Sequence, residues 1–288
     1  MRKYKLAYFI SHPIQYQAPL LKKLSERKEI ELKVFFIRNF SLDTDVLKDF
    51  TDGTDWNTPL LSGYDYSFLP KIIDSDAFGF FKPLVYGFRN ALKERRWDAV
   101  WIHGYSHYSL IILMILSYIF RIPIFYRSES NLKSTSSNIL KNILIRLLIK
   151  LSARLLFIGK ANKEYYKFFG APDNKLFFTP YAVDNRFFQN KSDQMERKTS
   201  SLIRKLSIRD ETTVVLFSGK LIKRKNPALL LEAFYNVIKN DLDRLTYLIF
   251  VGHGSEYQSL EKRIQELQLE DKVKLAGFIN QKEIRQYY

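Results

Sequence analysis

Runs of β-forming residues alternate along this chain with segments in which apolar side chains recur every three or four positions. Buried parallel strands read as nearly continuous apolar runs, and amphipathic helices as a 3.6-residue stripe. On that basis the first half predicts strands over 5–10, 31–37, 99–102, 123–126, 155–158 and 175–178, and helices over 18–28, 84–96, 109–120, 138–151 and 163–169. A long polar and aromatic stretch runs from the second strand through Pro70. In the second half, the apolar run from Val214 to Phe217 leads into a helical pattern of Leu229, Leu230, Leu231, Ala233 and Phe234. The next run, Tyr247 to Val251, leads into Tyr257, Leu260, Ile264 and Leu267, and a third run begins at Val273. The order β-α-β-α-β predicts a parallel sheet with right-handed crossovers. Both halves are therefore α/β. Residues 184–210 are polar and charged, with a helix predicted over 194–206, and read as a connection between a domain of residues 1–183 and one of residues 211–288.

In open α/β sheets ligands bind beyond the carboxyl ends of the strands, so the residues at those ends carry the candidate chemistry. The run Phe217-Ser218-Gly219-Lys220-Leu221-Ile222-Lys223-Arg224-Lys225-Asn226-Pro227 ends a strand in a glycine and aims several cations at the start of the next helix. The free N–H groups and dipole of a helix start favour an anion, and a glycine lets the backbone come close to it. A phosphate-bearing ligand fits, with Gly219, Lys220 and Lys225 as its candidate binders. Two further turns, Gly252-His253-Gly254 and Gly277-Phe278-Ile279, end the following strands. In the first half His12 and Gln15 follow the first strand, His103 follows Val100-Trp101-Ile102, and Arg127 and Glu129 follow Ile124-Phe125-Tyr126. Each also has a plain structural reading. His12 can be a hydrogen-bonded loop residue, His103 can cap a buried turn, and the two charges can form a local ion pair of little worth.

Taken together, Gly219-Lys220 with Lys225, then Val251-Gly252-His253-Gly254-Ser255-Glu256 with Leu260, then Asp271 to Phe278, resemble the second-domain signature of the family 4 (group 1) glycosyltransferases. Upstream, Pro180-Tyr181-Ala182-Val183-Asp184 followed by Phe187 or Phe188 resembles the segment by which the chain leaves the first domain in these enzymes. The resemblance implies the GT-B type of α/β fold, with two Rossmann-like domains. It further implies retaining transfer from a nucleotide diphosphate sugar to a glycan or lipid-linked acceptor, in surface polysaccharide or glycoconjugate synthesis. No obligatory metal or other cofactor belongs to that chemistry. Lys220 and Lys225 would then neutralise the departing diphosphate, Gly252, Gly277, Phe278 and Ile279 would lie against the nucleotide, and His12 and Gln15 against the acceptor. His103, Arg127 and Glu129 are the candidate catalytic residues. The glycine pair that many members carry after the first strand is missing here, and the chain ends at Tyr287-Tyr288, before the family's Glu-x7-Glu region. The second domain is accordingly expected to be incomplete, with sheet surface left bare, and a non-catalytic remnant that binds sugar nucleotides is the alternative reading.

At 288 residues and 46% apolar content the chain has room for two ordinary cores. It lacks cysteine, so nothing points to an oxidising compartment, and its start has no cleavage site of the secretory kind. A cytoplasmic protein is expected, at the inner face of the membrane if it meets lipid. The net charge of +16 asks for an anionic partner. No nucleic-acid motif is present, whereas residues 131–161 hold six cations and no acid among regularly spaced Ile and Leu. That segment reads either as a core helix with a solvated basic face or as a surface that meets anionic lipid. The pattern of a dinucleotide site fails at Tyr257, and a Walker loop lacks its glycines. Asp43-Thr44-Asp45 and Asp74-Ser75-Asp76 match a metal motif of chance quality, and no metal site is assigned.

Overall fold

A computed structural model of the chain describes residues 2–39, 59–73, 79–135, 137–189, 193–209, 211–240 and 245–288. Both Asp-x-Asp stretches lie outside the described residues. The chain forms two compact units, the first ending at Val183 and the second beginning at Asp184.

The first unit is built on a seven-stranded parallel sheet. In chain order its elements are β1 (Tyr4–Ile10), α1 (Ala18–Ser25), β2 (Ile30–Phe36), β3 (Asp65–Phe68), β4 (Lys71–Ile73), β5 (Leu84–Val85), α2 (Phe88–Lys93), β6 (Ala99–His103), α3 (Tyr108–Ile119), β7 (Ile124–Arg127), α4 (Ile139–Leu151), β8 (Arg154–Phe157), α5 (Lys160–Phe168) and β9 (Leu176–Phe178). The sheet order is β3-β2-β1-β6-β7-β8-β9, while β4 and β5 form a small antiparallel ribbon. Successive strand residues alternate between two cores, as the pleat requires. Phe9, Val100, Ile102 and Tyr126 pack under α3, α4 and α5, and Tyr8, Ile10, Val34 and Trp101 pack on the opposite side with Leu21 of α1. Both faces are covered, which is why these strands are apolar throughout.

Two local expectations change. The helix predicted over 84–96 is a two-residue strand and a short helix, because Gly87 between them has φ +79°, and a Cβ there would come within 3.0 Å of Pro70. The polar and aromatic stretch before Pro70 supplies β3, whose Phe68 and Tyr66 rings meet Phe36.

The second unit contains α6 (Asn185–Gln189), α7 (Asp193–Lys205), β10 (Thr213–Ser218), α8 (Pro227–Ile238), β11 (Thr246–Val251), α9 (Tyr257–Glu266) and β12 (Val273–Leu275). Its three strands are parallel in the order β10-β11-β12. Leu231, Phe234 and Ile238 of α8 and Leu260 and Ile264 of α9 cover one face. The other face is not left bare as the sequence had implied. Tyr247, Ile249 and Val251 are buried beneath Leu206 and Ile208, which follow α7, and beneath Ile284 and Tyr287 of a final 3-10 turn. No described helix is long and apolar enough to cross a membrane.

Candidate functional site

In the first unit the chain moves outward from β1 through β2 to β3, then returns to add β6 on the other side of β1. The loops leaving β1 and β6 therefore part in opposite directions, and a crevice opens between their carboxyl ends. A cleft of about 730 Å³ lies there, lined by Ser11 and Ile14 after β1, His103 and Gly104 at the end of β6, and Ser128 and Glu129 after β7.

His103 is the hub. Its Nδ1 lies 3.2 Å from the Tyr8 hydroxyl and 3.4 Å from Gln17 Nε2, while its Nε2 faces Glu129 Oε1 at 3.6 Å and the Tyr181 hydroxyl at 3.5 Å. Tyr8 donates to Gln17 Oε1 at 2.9 Å, and Tyr181 donates to Glu129 Oε1. With both hydroxyl protons committed, Gln17 Nε2–H can donate to Nδ1 and His103 Nε2–H can point at Glu129 and the Tyr181 oxygen. That tautomer gives each ring nitrogen of His103 a partner. The close contact with His103 is the largest cause that holds the Glu129 carboxyl down to about 2; burial opposes it, and the hydrogen bond from Tyr181 and the charges of His103 and Arg127 add to it. Burial and the neighbouring Glu129 push the Tyr181 phenol up.

Arg127, the last residue of β7, is only 1% exposed. Its guanidinium stacks 4.2 Å over the Tyr181 ring and lies 6.0 Å from that of Trp101. Among the described residues it makes no ion pair with Glu129, and its Nε and Nη2 have no acceptor. Buried unpaired donors are costly, and a carboxylate or phosphate would satisfy them, but Arg127 lies behind the cleft and does not itself line it. The loop carrying these groups is fixed from behind. Ser128 N–H donates to the Tyr166 oxygen at 2.8 Å, Asn162 Nδ2 donates to the Ser130 carbonyl at 2.8 Å, and Gly104 N–H donates to the Arg127 carbonyl at 2.7 Å. His12 and Gln15 are half-buried beside this cleft but do not line it, and His12 Nδ1 is engaged by Ser11 Oγ at 2.9 Å. From that loop it is Gln17 that reaches His103. Tyr8, Gln17 and Tyr181 were not singled out from sequence. Tyr181 does sit in the motif that leaves the first domain, the one signal that pointed toward it.

In the second unit the three strand-end turns converge. Gly219 N–H donates to the Val251 carbonyl at 2.9 Å and Gly252 N–H to the Gly277 carbonyl at 2.7 Å. A Cβ on Gly252, at φ +141°, would fall 1.9 Å from the Gly219 carbonyl oxygen, so no side chain fits there. Above Gly219 only the Phe217 ring comes within 4 Å of an added Cβ, which leaves space over this turn. A pocket of about 270 Å³ is lined by Gly219, Lys220, Gly252, His253, Phe278 and Ile279, together with residues near the final turn. Lys220 lines the pocket while remaining exposed, and desolvation, helped by Arg224, pushes its ammonium down. A site that lowers the ammonium in this way gains when an anion enters. Lys225 is exposed on a 3-10 turn and does not line this pocket, and Gly277 serves it through its carbonyl. The following helix, α8, begins at Pro227 without a side-chain cap, leaving N–H groups at its first turn for water or a ligand. Among the described residues no group of three His, Asp or Glu could hold a metal ion.

Two Rossmann-like units, each with a pocket at the carboxyl ends of its parallel strands, make this an α/β protein of GT-B fold. Residues 198–288 match the family model described as glycosyl transferases group 1. A glycosyltransferase from Rickettsia africae is similar in structure at a TM-score of 0.68 with 14% identity, over 100% of this chain and 71% of that one. Anabaena HepE in complex with UDP and glucose gives 0.65 with 15% identity, over 99% and 71%. The UDP-GlcNAc 2-epimerase of Neisseria meningitidis bound to UDP-GlcNAc gives 0.60 with 15% identity, over 98% and 74%. At these identities the likeness is one of fold. No curated protein matches the sequence.

Proposed function

We propose that this protein is a nucleotide-sugar glycosyltransferase, acting on a glycan or lipid-linked acceptor in surface polysaccharide or glycoconjugate synthesis at the inner face of an anionic membrane. The observation that carries the reading is the pocket at the strand-end turns of the second unit, which Lys220 lines beside Gly219 and Gly252, within the segment that matches the group 1 glycosyl transferases. Complexes of HepE with UDP and with UDP-glucose support a nucleotide sugar as the donor. In the transfer, the bond from the anomeric carbon to the diphosphate breaks with its electron pair going to the diphosphate. A bond forms to the acceptor oxygen, on the same face in a retaining course, and the acceptor proton passes to the departing phosphate. Negative charge therefore grows on the diphosphate, and Lys220 stabilises that charge more in the transition state than before it. In the first unit His103, held by Tyr8, Gln17 and Glu129, presents an oriented imidazole to the cleft, and Arg127 offers donors to an anionic acceptor group from behind it.

The test is thermal stabilisation across a panel of nucleoside diphosphates and nucleotide sugars, followed by turnover with and without acceptor. Binding to the native state raises apparent stability. Stabilisation by one diphosphate series and release of that diphosphate only when acceptor is present support the proposal. Stabilisation without turnover leaves the protein as a sugar-nucleotide binder, and acceptor-independent conversion of the sugar makes it a different enzyme.

A further inference from the structure

The helix α4 is apolar on two sides. One side is ordinary core, with Ile145, Leu148 and Ile149 buried under the sheet. The other side faces out. Ile139, Leu140, Ile143 and Leu147 are 73%, 77%, 55% and 44% exposed, and the spacing of 139, 143 and 147 makes them one stripe along the helix. Arg146 and Lys150 stand exposed along the same side. The preceding loop adds an exposed Leu132, and α3, which packs on α4, ends in exposed Tyr118 and Ile119. A contiguous apolar strip of this kind on a soluble surface marks a contact.

Charge decides which contact. From 131 to 161 the chain carries six cations and no acid. A second copy of this chain related by two-fold symmetry would set the same cations against themselves, whereas an anionic bilayer supplies the opposite charge, at about 1 kcal/mol for each Lys or Arg near the surface. With 13 residues α4 is about 20 Å long, too short to span a bilayer and suited to lying in its interface. The same helix borders the first unit's cleft, which Lys141 and Leu144 line from its first two turns.

We infer that the outer face of α4 docks on an anionic membrane surface and sets the mouth of the cleft at headgroup level, so that the acceptor is an amphiphile whose phosphate can reach Lys141. The nature of the acceptor rests on the transferase reading, but the docking does not. The full chain is sedimented with vesicles of phosphatidylcholine with and without phosphatidylglycerol. Binding is expected only to the anionic vesicles and fades as salt rises, since screening shortens from about 10 Å at 0.1 M to about 3 Å at 1 M. Ile143→Glu combined with Leu147→Glu lowers the partition coefficient more than about tenfold, while Arg146→Gln combined with Lys150→Gln weakens the preference for anionic lipid and retains the stripe. Equal sedimentation of the glutamate variant and the unaltered chain overturns the inference. So does equal binding to neutral and anionic vesicles, or a concentration-dependent dimer that the glutamate variant abolishes with no vesicle binding. Nucleotide binding is measured on the same preparations, so a failed membrane test and a failed transferase reading are told apart.

Discussion

Replacing Tyr181 by Phe tests the network around His103 at one atom. The ring that stacks on Arg127 is kept, and only the hydroxyl that donates to Glu129 and lies 3.5 Å from His103 Nε2 is lost. A hydrogen bond to a charged group is worth about 1.5–3 kcal/mol when sheltered. The Glu129 side chain is 56% exposed, so solvent screening reduces the expected effect to about 1 kcal/mol or less. The Glu129 carboxyl then rises from about 2 by less than about one pH unit. Because His103 is the larger cause, His103→Ala raises it further than Tyr181→Phe does. The sign of the stability effect follows. A carboxyl held below its unfolded value of 4.5 stabilises the native state above pH 4.5, and that contribution is lost as pH falls toward about 2. Tyr181→Phe is thus less stable than the parent at neutral pH and equal to it in strong acid. The carboxyl resonance of Glu129 followed by NMR titration is the assay. A larger rise in Tyr181→Phe than in His103→Ala, or no rise in either, refutes this account of the site.

Arg127→Met removes a buried guanidinium with two unpaired donors, so thermal stability holds or rises, while turnover with an anionic acceptor drops at least about tenfold, the scale of a lost charged hydrogen bond; unaltered turnover counts against Arg127 as an acceptor-side anchor. Gly252→Ala forces a Cβ into the Gly219 carbonyl, and calorimetric unfolding is expected to show a loss above about 2 kcal/mol together with lost nucleotide binding; a stable, nucleotide-binding variant contradicts the packing of the two turns. Lys225→Ala, whose side chain is exposed and off the pocket, weakens nucleoside diphosphate binding by less than about 1 kcal/mol in titration calorimetry; a larger loss places Lys225 on the phosphates after all.

Much of the fold was legible because both codes it uses are local. Apolar runs of strand length alternate with helical stripes, and that alternation alone implies parallel sheets. β3 escaped because it is a short edge strand in which polar Asp65 and Ser67 alternate with its two aromatic residues. The candidate residues at strand ends were legible for a topological reason, and His103 and Glu129 are indeed neighbours in space. Their partners were not. Tyr8, Gln17 and Tyr181 stand 95, 86 and 78 residues from His103, and only the order β1-β6-β7 brings them together. Lys220 and Lys225 looked equivalent in the sequence. The intervening 3-10 turn separates them, with one at the pocket and the other in solvent. The covering of the second sheet by Leu206, Ile208, Ile284 and Tyr287 likewise depends on where non-helical segments fold back, for which no periodicity gives a sign.

The central claim is that Lys220 receives the diphosphate of a nucleotide sugar. Titration calorimetry of the unaltered chain and of Lys220→Ala with the nucleoside diphosphate that stabilises the protein tests it most directly. The account predicts a loss of about 1.5–3 kcal/mol in binding free energy, roughly ten- to a hundred-fold in Kd, with the fold unchanged by circular dichroism. Equal affinity of the two proteins for that diphosphate would contradict it.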